Sequence, residues 1–280
     1  MNQRGFSLIE LMISLVLGLV ISGAIIQSLV SSKVTNSLND AIAQVQESGR
    51  FIMQRLSREL IQAGRYDQVA AQIDNGTDLV VEAGWIQNRP IGLAGDYVNN
   101  AALGSTQGLA GANDEVVTNL LGSEDCTGNR HGYAAGDEFH VVNHYYIANS
   151  QLKCTGYDGR VLRGLKMAVT TPVSVVLLDN VESFQVQYGI SAPSESSEGQ
   201  AIRYTTADQL AGLRAANQQV MAIRLGLLLR SDDAQAQLTV APQYAVLNEK
   251  AVTVDKAHYF QVFSKTLTLR NMKNFVRNAQ

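Results

Sequence analysis

His140 and His144, with Asp137 and Glu138 just ahead of them, come nearest in this sequence to a metal-ligand set. They fall in a run that alternates as a strand does, with Phe139, Val141, Asn143 and Tyr145 set against His140, Val142, His144 and Tyr146. Residues four apart on a strand stand about 13 Å from one another. Imidazole nitrogens bind an ion at about 2 Å, so this pair cannot share one. Both histidines are therefore expected at solvated or edge-facing positions, with no metal. Serine- and aspartate-rich stretches supply nucleophiles and calcium ligands in kind. However, no Gly-x-Ser-x-Gly, phosphate-cradling glycine loop or EF-hand pattern organises them. Tyr145, Tyr146, Tyr157, Tyr188 and Tyr204 read as sheet and interface residues rather than as a binding surface. No catalytic residue, cofactor or enzymatic activity is expected. The two cysteines, Cys126 and Cys154, have neither redox nor zinc spacing. In an oxidising compartment they would close a loop of about 28 residues, worth roughly 2–4 kcal/mol; the alternative is two free buried thiols.

The most unusual carboxylate is Glu10, at the head of an apolar run. From Leu11 to Ser32 there is no charged residue, which as a helix gives roughly 30 Å, enough to cross a bilayer core. A carboxylate buried there costs about 2–3 kcal/mol or more, so it must sit at the interface or meet a cation. A secretory signal is cut after its apolar region. Here the polar break at Gly5/Phe6 comes first, so a cut at that point would leave the helix on the mature chain. Ser14, Gly18 and Ser22 are four apart on one helical face, with Gly23 beside them. Small residues let helices approach closely, which makes this face a candidate packing surface, although the same residues are common in membrane helices generally.

The helical pattern continues beyond the apolar run. Val34, Leu38, Ile42, Val45, Gly49, Ile52, Leu56 and Leu60 recur at three- and four-residue spacing until Gly64, a plausible C-cap. One helix from about Ser7 to about Ala63 would be roughly 85 Å long. Its second half needs a cover, and the chain's own sheet is the only large candidate. A coiled coil fits less well because Gly49 and polar residues interrupt the seam.

The chain has 280 residues, a net charge of −3, 17% charged residues and 23 glycines. That leaves about 200 residues for a single loop-rich core after the helix and offers no electrostatic footprint for nucleic acid. Arg4 in the short N-terminal tail favours a cytoplasmic N-terminus with the bulk of the chain periplasmic. Strands are expected at Leu79–Val81 (with Trp85-Ile86 extending it or opening the next turn), Val116–Leu121, Glu138–Ile147, Leu152–Cys154, Val173–Leu178, Val181–Ile190, Val220–Ser231 as a central strand, and His258–Leu269. A Tyr157–Arg160 turn should feed Val161–Leu165. Thr206–Leu213 should form one or two helical turns with Thr206 as cap. Loops are expected at Gly92–Asp114, Gly122–Gly136 and Ser191–Gly199, an irregular stretch at Asp232–Val254, and a net-positive tail at Met272–Gln280. The fold class is α+β: a long N-terminal helix, half membrane and half amphipathic, packed on an antiparallel sheet with long loops.

The word Gly5–Glu10, with Arg4 before it and Leu11–Ile26 behind it, resembles the processing site of type IV prepilins and type II secretion pseudopilins. The resemblance implies that an inner-membrane prepilin peptidase cuts between Gly5 and Phe6 and methylates the Phe6 amine. Glu10 would then pair with the Phe6 amine of a neighbouring subunit and fix the assembly register. The strand opening at Asp179-Asn180-Val181, the segment Val220–Ser231 and the stretch Phe263–Asn271 look like those of the longer minor pilins of the PilW type. For this chain the resemblance implies a leader (1–5), a transmembrane and filament-core helix (6–32), an amphipathic continuation (33–64) and a periplasmic β-rich domain (65–280). It also implies a subunit that primes type IV pilus assembly and stays at the pilus tip, supporting adhesion, twitching and DNA uptake. Its partners would be other minor pilins, the major pilin, the peptidase, the inner-membrane assembly platform and, before assembly, the lipid bilayer, with no direct nucleic-acid contact. The alternatives are a J-type minor pseudopilin of a type II secretion system and a non-polymerising binding protein on a pilin-like anchor. No proline precedes Pro90, so the resemblance leaves open whether the membrane helix loosens in a filament.

Overall fold

The computed structural model describes residues 7–66, 79–192, 200–234, 240–247 and 249–272. The leader with Gly5 and Phe6, the stretch 67–78, most of the Ser191–Gly199 loop and the tail after Met272 lie outside the described residues.

Helix α1 runs unbroken over Leu8–Leu60, about 80 Å. It ends in a tight turn closed by Gly64 at φ +74, whose N–H donates to the Asn119 carbonyl at 2.8 Å. The glycine is required because a side chain in that left-handed conformation is strained. The helix divides into two halves. From Leu8 to Val30 the large apolar side chains are each more than half exposed, whereas Ala41, Val45, Gly49, Ile52, Met53, Leu56 and Leu60 are buried. Val34 and Leu38, the first members of the expected stripe, remain 45% and 39% exposed, so the cover begins only at Ala41. Gly49 does more than interrupt a heptad. The Phe263 ring lies where its side chain would be, which lets the sheet approach the helix closely.

The cover is two antiparallel sheets. The first is a meander of β1 (Val116–Gly122), β2 (Phe139–Ala148), β3 (Gln151–Asp158) and β4 (Ser174–Leu178) in that order. The second is built from β5 (Val181–Ile190), β6 (Arg203–Thr205), β7 (Val220–Arg230) and β10 (Phe260–Thr268), ordered β10-β7-β5-β6. Between β7 and β10 a small hairpin, β8 (Gln243–Tyr244) and β9 (Val252–Thr253), provides Tyr244 and Val252 to an apolar cluster with Leu228, Val246 and Phe260. Asn149 and Ser150, at φ 56 and 55, form the two-residue turn between β2 and β3, the left-handed pair a tight hairpin demands. As expected, β7 is central. Its Ile223, Leu225, Leu227 and Leu229 join Phe184, Val186 and Tyr188 of β5 and the buried face of α1 in one core, which also takes in Tyr145, Leu152 and Cys154 of the first sheet.

Three local expectations are corrected. Leu79–Val81 with Trp85-Ile86 is not a strand but α2 (Leu79–Asn88), closed by an Asn88 Nδ2 bond to the Gly84 carbonyl at 2.8 Å. The turn expected at Tyr157–Arg160 comes later: Tyr157 and Asp158 still belong to β3, and the Asp158 carboxylate accepts the N–H groups of Arg160 and Val161 and starts the single turn α3 (Gly159–Leu162). Thr206 does precede a 3-10 turn, which leads into α4 (Leu210–Ala215), but its hydroxyl bonds the Asp208 carboxylate rather than a backbone N–H.

The Gly92–Asp114 connection, irregular as expected, covers an edge. Asn113 Oδ1 accepts the Phe184 N–H at 2.8 Å and Asp114 Oδ2 accepts the Val186 N–H at 2.7 Å, so two side chains substitute for a strand along β5. Asp114 Oδ1 also accepts the Gly108 N–H at 2.7 Å. Burial pushes the Asp114 carboxyl up to about 6, against the pull of those two donors. Because the native pKa lies above the unfolded one, stability from this group is full below the unfolded value near 3.8 and is lost as pH rises through about 6. Asp114→Asn removes the titration. Between pH 4.5 and pH 7 the unmodified chain should therefore lose about 1–3 kcal/mol that the variant keeps. Urea titrations of both at several pH values would measure this, and parallel profiles would contradict it.

Candidate assembly surface

The exposed half of α1 carries most of the residues singled out in the sequence. The Glu10 carboxylate folds back on its own helix and accepts the Ser7 N–H at 3.0 Å, while the Ser14 hydroxyl bonds the Glu10 carbonyl at 2.8 Å. Ser14, Gly18 and Ser22 are all exposed, and a side chain built at Gly18 or Gly23 would meet nothing within 4 Å. Near the N-terminus this helix is long and apolar enough to cross a membrane. A continuous apolar surface of this size on a soluble protein marks a face that something else covers.

At the other end, Cys126 and Cys154 are bonded, with their Cα atoms 6.4 Å apart. Beside them Asp125 organises the loop: Oδ1 accepts the N–H groups of Thr127 (2.8 Å) and Asn129 (3.0 Å), and Oδ2 lies 2.8 Å from His131 Nε2. Burial alone would raise the Asp125 pKa, but the bonds from His131, Thr127 and Asn129 together hold it below the usual value. His131 Nδ1 meets the Thr170 hydroxyl at 3.0 Å, which ties the loop to the segment entering β4. Arg55 of α1 donates to the Cys126 carbonyl at 3.2 Å and to Glu59 at 2.9 Å, and Glu59 accepts the Tyr145 hydroxyl at 2.7 Å. The bonded loop is thus fastened to the buried half of the helix.

The histidines depart from the expectation. His140 is fully buried, with Nε2 2.9 Å from Asn119 Oδ1, Nδ1 3.4 Å from Glu82 Oε1, and its ring 4.8 Å from that of Trp85. Gly159 leaves the room for it, since a side chain there would occupy the imidazole's place. Burial, reinforced by Arg163 and Arg160, holds His140 well below the ordinary histidine value. His144 is half-buried against Glu115, with Nε2 2.8 Å from Oε2. The cause is that α2, α3 and the loop between α2 and β1 cover the outer face of the first sheet, where Tyr97, Leu103 and Leu162 pack with Val117 and Val142. Among the described residues no group of three or more His, Cys, Asp or Glu side chains is placed to hold a metal ion. Tyr145 and Tyr188 are core residues, and Tyr204 lies under the Arg224 guanidinium at 3.9 Å. Sequence reasoning missed Glu82, Asp125 and Arg163 altogether, and no local spacing distinguishes them from surface charges.

Residues 1–26 match the family model described as the prokaryotic N-terminal methylation motif, and residues 138–271 match that of type IV pilus-assembly protein W. The chain is a prepilin-type protein with a PilW domain. The PilW match opens at Glu138, one residue ahead of β2, and closes at Asn271, just past β10. It leaves α1, α2 and β1 outside it, and the methylation motif takes in the exposed turns of α1 that carry Glu10, Ser14, Gly18 and Ser22. Among solved structures the chain is similar to a type IV-like pilin from Thermus thermophilus at 13% identity and a TM-score of 0.42, over 82% of this chain and 98% of that one. No curated protein matches it. An apolar anchoring helix carrying a C-terminal domain, in a chain built for pilus assembly, follows from the two family matches and from α1.

Proposed function

We propose that this chain is a minor pilin that joins other minor pilins in the inner membrane, primes growth of a type IV pilus and remains near its tip. The observation that carries the reading is the uncovered apolar half of α1, headed by one carboxylate and joined to a PilW domain. In this reading residues 1–5 are a leader removed by prepilin peptidase between Gly5 and Phe6, and the new Phe6 amine is methylated. Residues 6–32 span the membrane and then enter the filament core, 33–64 carry the helix into the domain, and 65–280 stand in the periplasm. A lone carboxylate and a lone ammonium are each costly in an apolar bundle, yet paired they favour one axial position. Glu10, which among the described residues accepts a backbone N–H of its own first turn, can exchange that bond for the Phe6 amine of a neighbour. The Ser14, Gly18 and Ser22 face gives the close approach such a register needs.

Photo-crosslinkers placed on that face in the full chain in native membranes test the proposal. Capture of other minor pilins and of the major pilin is expected, together with loss of surface pili on gene deletion while major pilin stays in the membrane. Capture of pseudopilins with exoprotein retention would assign the chain to a secretion apparatus instead, and capture of no pilin-like partner would leave an anchored binding domain.

A further inference from the structure

The segment entering β4 leaves its large apolar side chains in the open. Leu165, Met167, Val169, Val173 and Val176 are 55%, 86%, 68%, 55% and 46% exposed; Thr170, Thr171 and Ser174 among them are exposed too, and Lys166 is partly covered. Lys166 lies 3.4 Å from the Tyr133 ring centroid and 3.3 Å from Asp158, and Thr170 is held by His131. From Ala168 to Leu178 no residue is charged. Among the described residues β4 pairs only with β3, so its other side is an open edge. The other edges are guarded. Isolated bridges at Thr118 and Glu115 cover β1, Asn113 and Asp114 cover β5 where β6 does not pair with it, and β6 and β10 carry the exposed Arg203 and Lys265. Chains normally blunt such edges with charge, proline or a covering segment, and Pro172 precedes β4 without guarding Ser174–Leu178.

We propose that the β4 edge and the apolar strap before it receive an extended, uncharged strand from a neighbouring pilin-like subunit, extending the first sheet across the subunit boundary. Strand addition derives affinity from backbone bonds and specificity from alternate side chains, and the edge with its outward valines supplies both. The inference rests on the minor-pilin reading and names where on the domain a partner binds. Two observations select a protein subunit over lipid. Val176–Asn180 and the α1 residues Gln44, Val45 and Ser48 line one groove of about 360 Å³, so the edge continues the helix surface along which subunits would pack. Gln44 also lies twelve residues past Ser32, about 18 Å along the helix. The headgroup layer is only about 5–8 Å deep, and the strap lies farther out still, tied through His131 and Asp125 to the disulfide loop at the level of Arg55.

Photo-crosslinkers at Met167 and Val176 of the full chain in native membranes should capture another pilin-like subunit, with the linked peptide mapping to a strand of that partner. Val176→Lys, or Val169→Lys on the strap outside the sheet, should cut the yield from Met167 by about tenfold while the thermal midpoint and the disulfide are retained. Capture of lipid alone, of a second copy of this chain alone, or of nothing would overturn the proposal, as would undiminished yield in both lysine variants. If the Ser14, Gly18 and Ser22 positions capture pilins and these do not, this inference fails alone. If neither set does, the minor-pilin reading fails with it.

Discussion

Replacing Arg163 with methionine is expected to lower stability by about 3–5 kcal/mol at neutral pH. Arg163 Nη1 lies 2.9 Å from Glu82 Oε2, with the two side chains 9% and 5% exposed, and its guanidinium sits 4.7 Å from the Trp85 ring centroid. Burial holds the Glu82 carboxyl above its usual value even with Arg163 beside it. Methionine fills much of the volume and keeps contact with the indole but leaves Glu82 as an uncompensated buried charge. Most of the loss should come from that charge. Without the arginine the native pKa of Glu82 rises further, and a carboxyl raised in the native state costs stability as pH rises through that value. The deficit of the variant against the parent should therefore shrink as pH falls toward 5. Glu82→Gln is the control: it leaves Arg163 a neutral acceptor and its indole, and should cost less. Trp85 is the only tryptophan, so its emission reports unfolding at the site itself. A loss below about 1 kcal/mol at neutral pH would show that water reaches Glu82 and solvates it.

The same neighbourhood shows where the sequence is readable. The long helix and the strands Val116–Gly122, Phe139–Ala148, Val181–Ile190, Val220–Arg230 and Phe260–Thr268 are marked by local signals. Each has a period of apolar residues or a β-branched run, closed by residues such as Asn149-Ser150 or Asn180 that accept a left-handed turn. The α2 segment lacks such a signal. Leu79-Val80-Val81 suits either period, and in the fold Val81 is 57% exposed while Glu82 is buried, the reverse of their hydropathies. The partner that makes Glu82 affordable there, Arg163, lies 81 residues away. His140 is hidden for the same reason. Strand alternation places it on the outer face of its sheet, but that this face is covered follows only from packing of α2, α3 and the loop around Tyr97. The roles proposed for Glu10, Gly5 and Phe6 rest on a contiguous word, whereas the tie from Asp125 through His131 to Thr170 joins two segments by one imidazole.

The second large effect is expected from the disulfide. Cys126→Ala with Cys154→Ala should cost about 2–4 kcal/mol, the chain-entropy value for a closed loop of this length, the two sulfurs being 28 residues apart. Alanine is the better choice because Cys154 is fully buried in the main core, where serine would add an unpaired hydroxyl. The consequences should be graded along the chain. Asp125 and its bonds to Thr127, Asn129 and His131 remain possible without the bridge, but the loop then loses its covalent hold on β3 and relies on the Arg55 contact to the Cys126 carbonyl. Limited proteolysis should cut between Gly122 and Gly136 before the sheets unfold, and the tie from His131 to Thr170 should loosen with the loop. A crosslinker at Met167 should then lose its partner even where the fold survives, because the strap would no longer be held with its apolar side chains outward. New cleavage with a stability loss under about 1 kcal/mol would confine the bridge to shaping the loop. No new cleavage and no loss would mean that Asp125 and Arg55 hold the loop by themselves.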